Sequence, residues 1–151
     1  MDLQRSHTTG PLVMDRAAME RFAAFSGDRS PLHMDPGSGA RSQFADNVVH
    51  GILPLMYLPV ALYPLLGGTN WRITSINAQF LKPLFPGEQV QLACLTEGTE
   101  DAPNVEFRVL RAGTEHVVTR GRLALQRVDP AHAPSEGTGA NLFAEPPVLS
   151  A

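Results

Sequence analysis

The stretch Gly51-Ile52-Leu53-Pro54-Leu55-Met56-Tyr57-Leu58-Pro59-Val60-Ala61-Leu62-Tyr63-Pro64-Leu65-Leu66 carries no charged residue and is followed by several strand-like runs. A helix that is apolar on nearly every side is one wrapped by other structure rather than one lying on a surface. Pro54 is tolerable in a first turn. Pro59 and Pro64 each remove a backbone donor and clash with the preceding turn, so the helix is expected to kink or end there. Gly67-Gly68 is expected to stop it. The stretch falls short of the roughly 20 apolar residues that a bilayer requires, and its prolines point the same way. A buried core helix is expected, not a membrane span.

Downstream the pattern changes to period two. Arg72–Phe80 is β-branched and alternating, and Lys82-Pro83 with Pro86-Gly87 supplies turn chemistry. Gln89–Leu95, Asn104–Leu110 and His116–Arg127 read as three more strands. Upstream, residues 1–10 read as a loose arm. Asp15 is a helix N-cap, with Met14 placed to staple against Met19, and Arg16–Phe25 is a helix stopped at Ser26-Gly27. Ala40–Phe44 is a candidate short helix, and Asp46-Asn47 a cap or turn. Residues 129–151 are rich in Pro, Ala, Gly and Ser and read as a tail. The fold class is α+β: one domain over residues 1–128, with an antiparallel sheet wrapped around a central apolar helix. Such a sheet leaves an edge strand open, so a homodimer is expected.

Composition narrows the function classes. At 151 residues the chain can bury a core without staples, and 43% hydrophobic with 18% charged residues is ordinary for a soluble protein. A net charge of −3 and a single lysine, Lys82, give no basic face for nucleic acid. The lone Cys94 excludes an internal disulfide, no Cys/His spacing suggests zinc, and the start lacks a secretory apolar stretch. The cytoplasm is the expected compartment.

Chemistry concentrates before the helix. In Ser26-Gly27-Asp28-Arg29-Ser30-Pro31-Leu32-His33-Met34-Asp35, a carboxylate and an imidazole flank a proline that pushes Ser30 out of the helical region. The pair is expected on a rigid turn rather than a regular element. Asp28 and His33 together can hold one water and move its protons. The backbone N–H of Gly51, after His50, can bind a developing oxyanion. Asp28 also has a plain structural use as an Asx-turn residue. His33 can likewise be a satisfied turn histidine, and His50 a cap or buried donor.

These residues, with Phe44, Val48-Val49-His50-Gly51-Ile52-Leu53 and Ile76–Val90, resemble the MaoC-like dehydratases and (R)-specific enoyl-CoA hydratases of the hotdog fold. The family pattern runs S-G-D-x-N-P-x-H-x-D, an aromatic, V-x-H-G-[ML], then F-x-x-P-x-x-x-G-D-x-V, and the likeness covers residues 15–127. The resemblance implies a hydro-lyase that interconverts a (3R)-hydroxyacyl thioester and a trans-2-enoyl thioester. Asp28 and His33 would be its catalytic dyad, and the Gly51 N–H the donor to the thioester carbonyl. It implies no metal and no redox cofactor, the substrate being carried on coenzyme A or on the phosphopantetheine of an acyl carrier protein.

Two positions depart from the pattern. Ser30 replaces the family's Asn, exchanging an amide for one hydroxyl, and Pro59 stands where related hydratases often carry a small polar residue. Ser30 and His50 are read as supporting groups, and Asp35 as a turn or N-cap residue. Tyr57 and Tyr63 are read as helix packing, and Trp71 and Phe80 as core or interface. Arg41, Arg72 and Lys82 are either phosphate contacts or solvated. Many thioesterases, and the other dehydratase branch, place an acid on the central helix, and His50–Leu66 holds none. A hotdog protein recruited to another biosynthetic role, as enzyme or acyl-binding subunit, is the alternative that the two departures leave open.

Overall fold

The structure, a computed structural model, describes residues 4–67, 70–129 and 131. Most of the tail at 129–151 lies outside these residues, as does Gly68. The chain forms β1 (Arg5–Thr8), β2 (Leu12–Met14), α1 (Arg16–Ser26), α2 (Pro31–Met34), α3 (Pro36–Arg41), α4 (Ile52–Leu55), α5 (Leu58–Leu66), β3 (Trp71–Phe80), β4 (Glu88–Gly98), β5 (Pro103–Arg111) and β6 (Val117–Arg127). The strands make one antiparallel sheet in the order β1-β4-β5-β6-β3, with β2 extending the β1 side along β4. It is the α+β hotdog arrangement.

Alternation builds the core. Val90, Leu92 and Cys94 on β4, Val105, Phe107 and Val109 on β5, and Leu123 and Leu125 on β6 turn inward. They form one cluster with Leu58, Ala61, Leu62 and Leu65 of α5 and with Met14, Met19 and Phe22 from the N-terminal segment. Each such side chain taken from water stabilises by roughly 1.5–3 kcal/mol. Gly121 on β6 lets the neighbouring strands approach closely: a Cβ there would lie 2.0 Å from Asn77 O of β3 and 2.6 Å from Phe107 Cζ of β5.

Four expectations need correction. Residues 5–8 are not a loose arm but a strand registered from Arg5 opposite Thr96 to Thr8 opposite Ala93. The backbone of an open sheet edge is satisfied by this pairing, a long-range gain that local composition does not encode. As expected at Pro59, which has no N–H to offer Leu55 O, the central helix is two helices with Met56-Tyr57 between them. The expectation that fails is the one for Pro64, which sits inside α5, and that helix continues to Leu66. That helix is also not wrapped all round: Ile52, Val60 and Tyr63 are 49%, 47% and 60% exposed. The helix expected at Ala40–Phe44 lies earlier, over Pro36–Arg41, where Asp35 caps it by accepting from Gly37 N and Ser38 N.

The remaining boundaries agree. Asp15 caps α1, accepting from Ala18 N at 2.8 Å, and Gly27 ends it at φ 77. Edge strand β3 is exposed along most of its length, with Ile73, Ile76 and Phe80 among the large apolar side chains left open.

Candidate active site

The loop that leaves α1 is bent by Gly27, and Asp28 follows it. Ser30 takes φ −51 and ψ 135, the extended conformation that a following proline enforces, and Pro31 then opens α2 at its first position. His33 therefore sits on a one-turn helix, its N–H donating to Ser30 O at 2.9 Å. The expectation of a turn without regular structure holds for Asp28 and fails for His33.

Ser30 holds the Asp28 carboxylate. Its Oγ–H and N–H donate to the same oxygen, Oδ1, at 2.6 and 3.1 Å. These bonds, the hydroxyl first, keep the carboxyl below the usual carboxylate range, and the nearby His33 and His50 rings add to the effect. The carboxylate is thus ionised with Oδ2 left over. In place of an amide, the serine at this position supplies a clamp.

His33 has one direction and one tautomer. Its Nδ1 lies 2.5 Å from Val48 O, and a carbonyl only accepts, so Nδ1 carries a proton, and in the neutral ring Nε2 presents the lone pair. His50 stacks on it with ring centroids 4.3 Å apart and planes inclined by 27°. His50 is 2% exposed, and Phe22 closes its other side at 4.8 Å. Its Nε2–H donates to Asp28 O at 3.0 Å, which ties the carboxylate-bearing residue to the histidine pair. Nδ1 of His50 is buried with no partner among the described residues. Burial pushes the His50 imidazole below its ordinary pKa, with the charge of His33 acting the same way against the hydrogen bond to Asp28 O. A neutral His50 keeps its charge off the neighbouring ring.

Gly51 stands at the start of α4 with φ −58 and ψ −32. Among the described residues its N–H meets no acceptor. The Phe80 ring, from the end of β3, covers the glycine so closely that a Cβ would lie 2.9 Å from Phe80 Cε1. The approach is anchored one step away by Val49 N–H donating to Leu84 O at 2.8 Å. Asp28, Ser30, His33, His50 and Gly51 are in this way gathered at one end of the helix pair.

Other residues singled out in the sequence lie elsewhere. Pro59 is exposed at the start of α5, and Tyr63 faces outward from the same helix. Arg72 donates to Gln126 Oε1 at 3.0 Å on the sheet, and Lys82 is exposed. Trp71 is half-buried, with the Arg127 guanidinium 5.3 Å above its ring. Asn47 was underrated as a cap or turn: it is fully buried and bonded to three elements. Among the described residues no group of three or more His, Cys, Asp or Glu side chains is placed to hold a metal, and no helix is long and apolar enough to cross a membrane.

Comparison with known proteins adds to this geometry. The MaoC like domain matches residues 3–117. The 3-hydroxyacyl-thioester dehydratase Y of Mycobacterium tuberculosis is 38% identical over 112 residues, 73% of this chain and 37% of that protein. The chain therefore spans little more than a third of that relative's length. The (R)-specific enoyl-CoA hydratase of Aeromonas caviae is 33% identical over 106 residues, covering 68% of this chain and 79% of that one. The solved structure of the (R)-hydratase from A. caviae involved in PHA biosynthesis superposes with a TM-score of 0.69 at 24% identity, over 84% of this chain and 94% of the other. The last likeness speaks for the fold.

Proposed function

This chain belongs to the MaoC-like domain family, and we propose that it is a hydro-lyase interconverting a (3R)-hydroxyacyl thioester and a trans-2-enoyl thioester. The observation that carries the reading is the fixed tautomer of His33. With Nδ1–H spent on Val48 O, Nε2 is an acceptor, and the ionised Asp28 offers Oδ2 as a second. Two acceptors on one loop pinch a single water through its two hydrogens and leave its oxygen lone pair facing the substrate.

In hydration, that oxygen bonds to Cβ of the enoyl group. The π electrons shift through Cα onto the thioester oxygen, where the Gly51 N–H stabilises the charge. One proton passes from the water to the dyad and from the dyad to Cα on the same face, so addition is syn and the dyad ends with the protons it began with. Dehydration runs the same path backwards. His50 keeps the loop in place and remains neutral beside His33. A thioesterase or helix-acid dehydratase has less support, because α4 and α5 offer no carboxylate.

The acyl group would arrive on coenzyme A or on an acyl carrier protein, in the cytoplasm. A second copy of the chain would cover β3 and the open face of α4–α5, giving the homodimer expected from the sequence. The test is hydration of a panel of trans-2-enoyl thioesters, on coenzyme A and on a carrier, by wild type and by Asp28→Asn. That variant keeps the shape and removes the base, and a fall of about 10²–10⁴-fold in rate is expected. Near-full activity in Asp28→Asn would refute the assignment.

A further inference from the structure

We propose that Asn47 is the positioning residue of this site: its carboxamide fixes the backbone of α2 and thereby aims the His33 imidazole. The inference rests on the dyad reading above.

α2 cannot hold itself. One turn is too short to be stable alone, and none of its four residues is buried. Its last carbonyls have no partner within the helix. Asn47 adds side-chain donors from outside to carbonyls that the backbone also engages, Asp35 O by Gly39 N–H at 2.9 Å and Pro31 O by Asp35 N–H at 3.0 Å. It is 0% exposed, and its Nδ2 donates to Leu32 O at 2.9 Å and Asp35 O at 2.8 Å, with Pro31 O at 3.5 Å. The carbonyls on either side of His33 are thereby held by one amide group.

The other half of the amide is braced. Oδ1 accepts from Arg16 Nη1 at 2.9 Å, and the same guanidinium reaches Asp46 Oδ1 at 3.3 Å. The strut runs from α1 through Asn47 to α2. Next along the chain, Val48 N–H also donates to Leu32 O at 3.3 Å, and Val48 O takes the proton of His33 Nδ1. Backbone and ring of His33 are referred to two adjacent residues, so any slip of Asn47 moves both.

The chemistry is particular to asparagine. Two carbonyls need two N–H donors, and a guanidinium needs an acceptor; an amide of this length offers both, a carboxylate only the second. The surroundings are shaped to admit it. A Cβ on Gly39 would lie 2.4 Å from Asn47 N and 2.6 Å from Asn47 Nδ2. Ala45, two residues earlier, adopts φ 58, a left-handed conformation unfavourable for a side-chain-bearing residue.

The experiment compares Asn47→Asp and Asn47→Ala with Val109→Ala, a buried sheet position that controls for lost stability. Two quantities are read on each protein: the tautomer and titration of His33 by nitrogen-15 NMR of the histidines, and kcat and KM on an enoyl thioester. Wild type and Val109→Ala should show His33 as the Nδ1–H tautomer. The Asn47 variants should show mixed His33 tautomers, with kcat lower by about 10²-fold and KM little changed, as for a misaimed group. Arg16→Met, which removes the brace on Oδ1 together with the exposed contact to Asp46 and leaves the amide donors of Asn47 in place, should shift His33 in the same direction by less. Asn47 variants that keep the wild-type tautomer and kcat while losing stability would overturn the proposal. So would an unchanged His33 in Arg16→Met if the Asn47 variants do not fold. Loss of the tautomer in a protein with no hydratase activity would sustain the positioning role and sink the proposed reaction instead.

Discussion

Replacing Gly51 by alanine separates packing from chemistry at the start of α4. The backbone there is ordinary helical, so alanine introduces no torsional strain. The added methyl would stand 2.9, 3.0 and 3.5 Å from three atoms of the Phe80 ring, where carbon atoms prefer roughly 3.5–4.0 Å. The ring must retreat by about 0.5 Å. Phe80 is 51% exposed and has room to swing outward, so the cost belongs at the low end of overpacking, about 1 kcal/mol. For a chain of 151 residues this lowers Tm by about 3 °C. If the Gly51 N–H receives the thioester oxygen, the methyl also displaces the substrate, and kcat/KM should fall by about 10²-fold. The assay follows loss of the conjugated enoyl absorbance beside a thermal melt. The double variant Gly51→Ala/Phe80→Ala decides the cause: with the ring gone, Tm should match Phe80→Ala alone while activity stays low. Full recovery of activity in the double variant would mean that glycine is kept only for the ring, and the donor role would be refuted. An unchanged Tm in Gly51→Ala would refute the packing argument.

Ser30→Ala removes the main donor to Asp28, so the carboxyl should titrate higher and the acidic limb of the pH–rate profile should move upward. Because the native carboxyl lies below its ordinary value, its stabilising contribution is present above that value and lost as pH falls through the native one. The deficit of Ser30→Ala in urea midpoint should accordingly vanish in acid, and a deficit independent of pH would contradict the clamp. Gly121→Ala puts a methyl against Asn77 O between β6 and β3; a loss of about 3 kcal/mol or more is expected, read as a Tm drop of about 10 °C. Burial holds the His50 imidazole below the ordinary histidine value of about 6.5, so the unfolded chain takes up a proton that the native one refuses. Stability should fall as pH drops through that value, and His50→Gln should flatten this part of the urea-midpoint curve between about pH 8 and pH 5.

β4, β5 and β6 were legible because each alternates inward and outward over its own length, and β3 because its sequence is β-branched and alternating although the strand itself is exposed along most of its length. α1 was legible because Asp15 and Gly27 mark both ends chemically. β1 was not: Arg5–Thr8 has no pattern of its own and becomes a strand only where β4 offers an edge. The break before α5 was marked by Pro59, whereas Pro64 carries the same local signal and leaves α5 continuous. At the site, Asp28, His33 and Gly51 stood out by residue type and spacing. The hold of Ser30 on Asp28 and the proton on His33 Nδ1 required coordinates, because both depend on where a particular oxygen lies. Asn47 was hardest to read, since its partners are backbone carbonyls, which any sequence would supply.

The interruption at Met56-Tyr57 has a further consequence. A single turn such as α4 has almost no dipole of its own, so the field at Gly51 comes from the nearest N–H groups and not from the sixteen-residue span that the sequence first suggested. α5 is a separate helix whose own dipole starts two residues beyond α4. A substitution along α5 therefore acts on packing and leaves the charge presented at Gly51 as it is. Pro59, which looks like a defect in a helix, sets the polarity at Gly51 by keeping the span from adding up to one dipole.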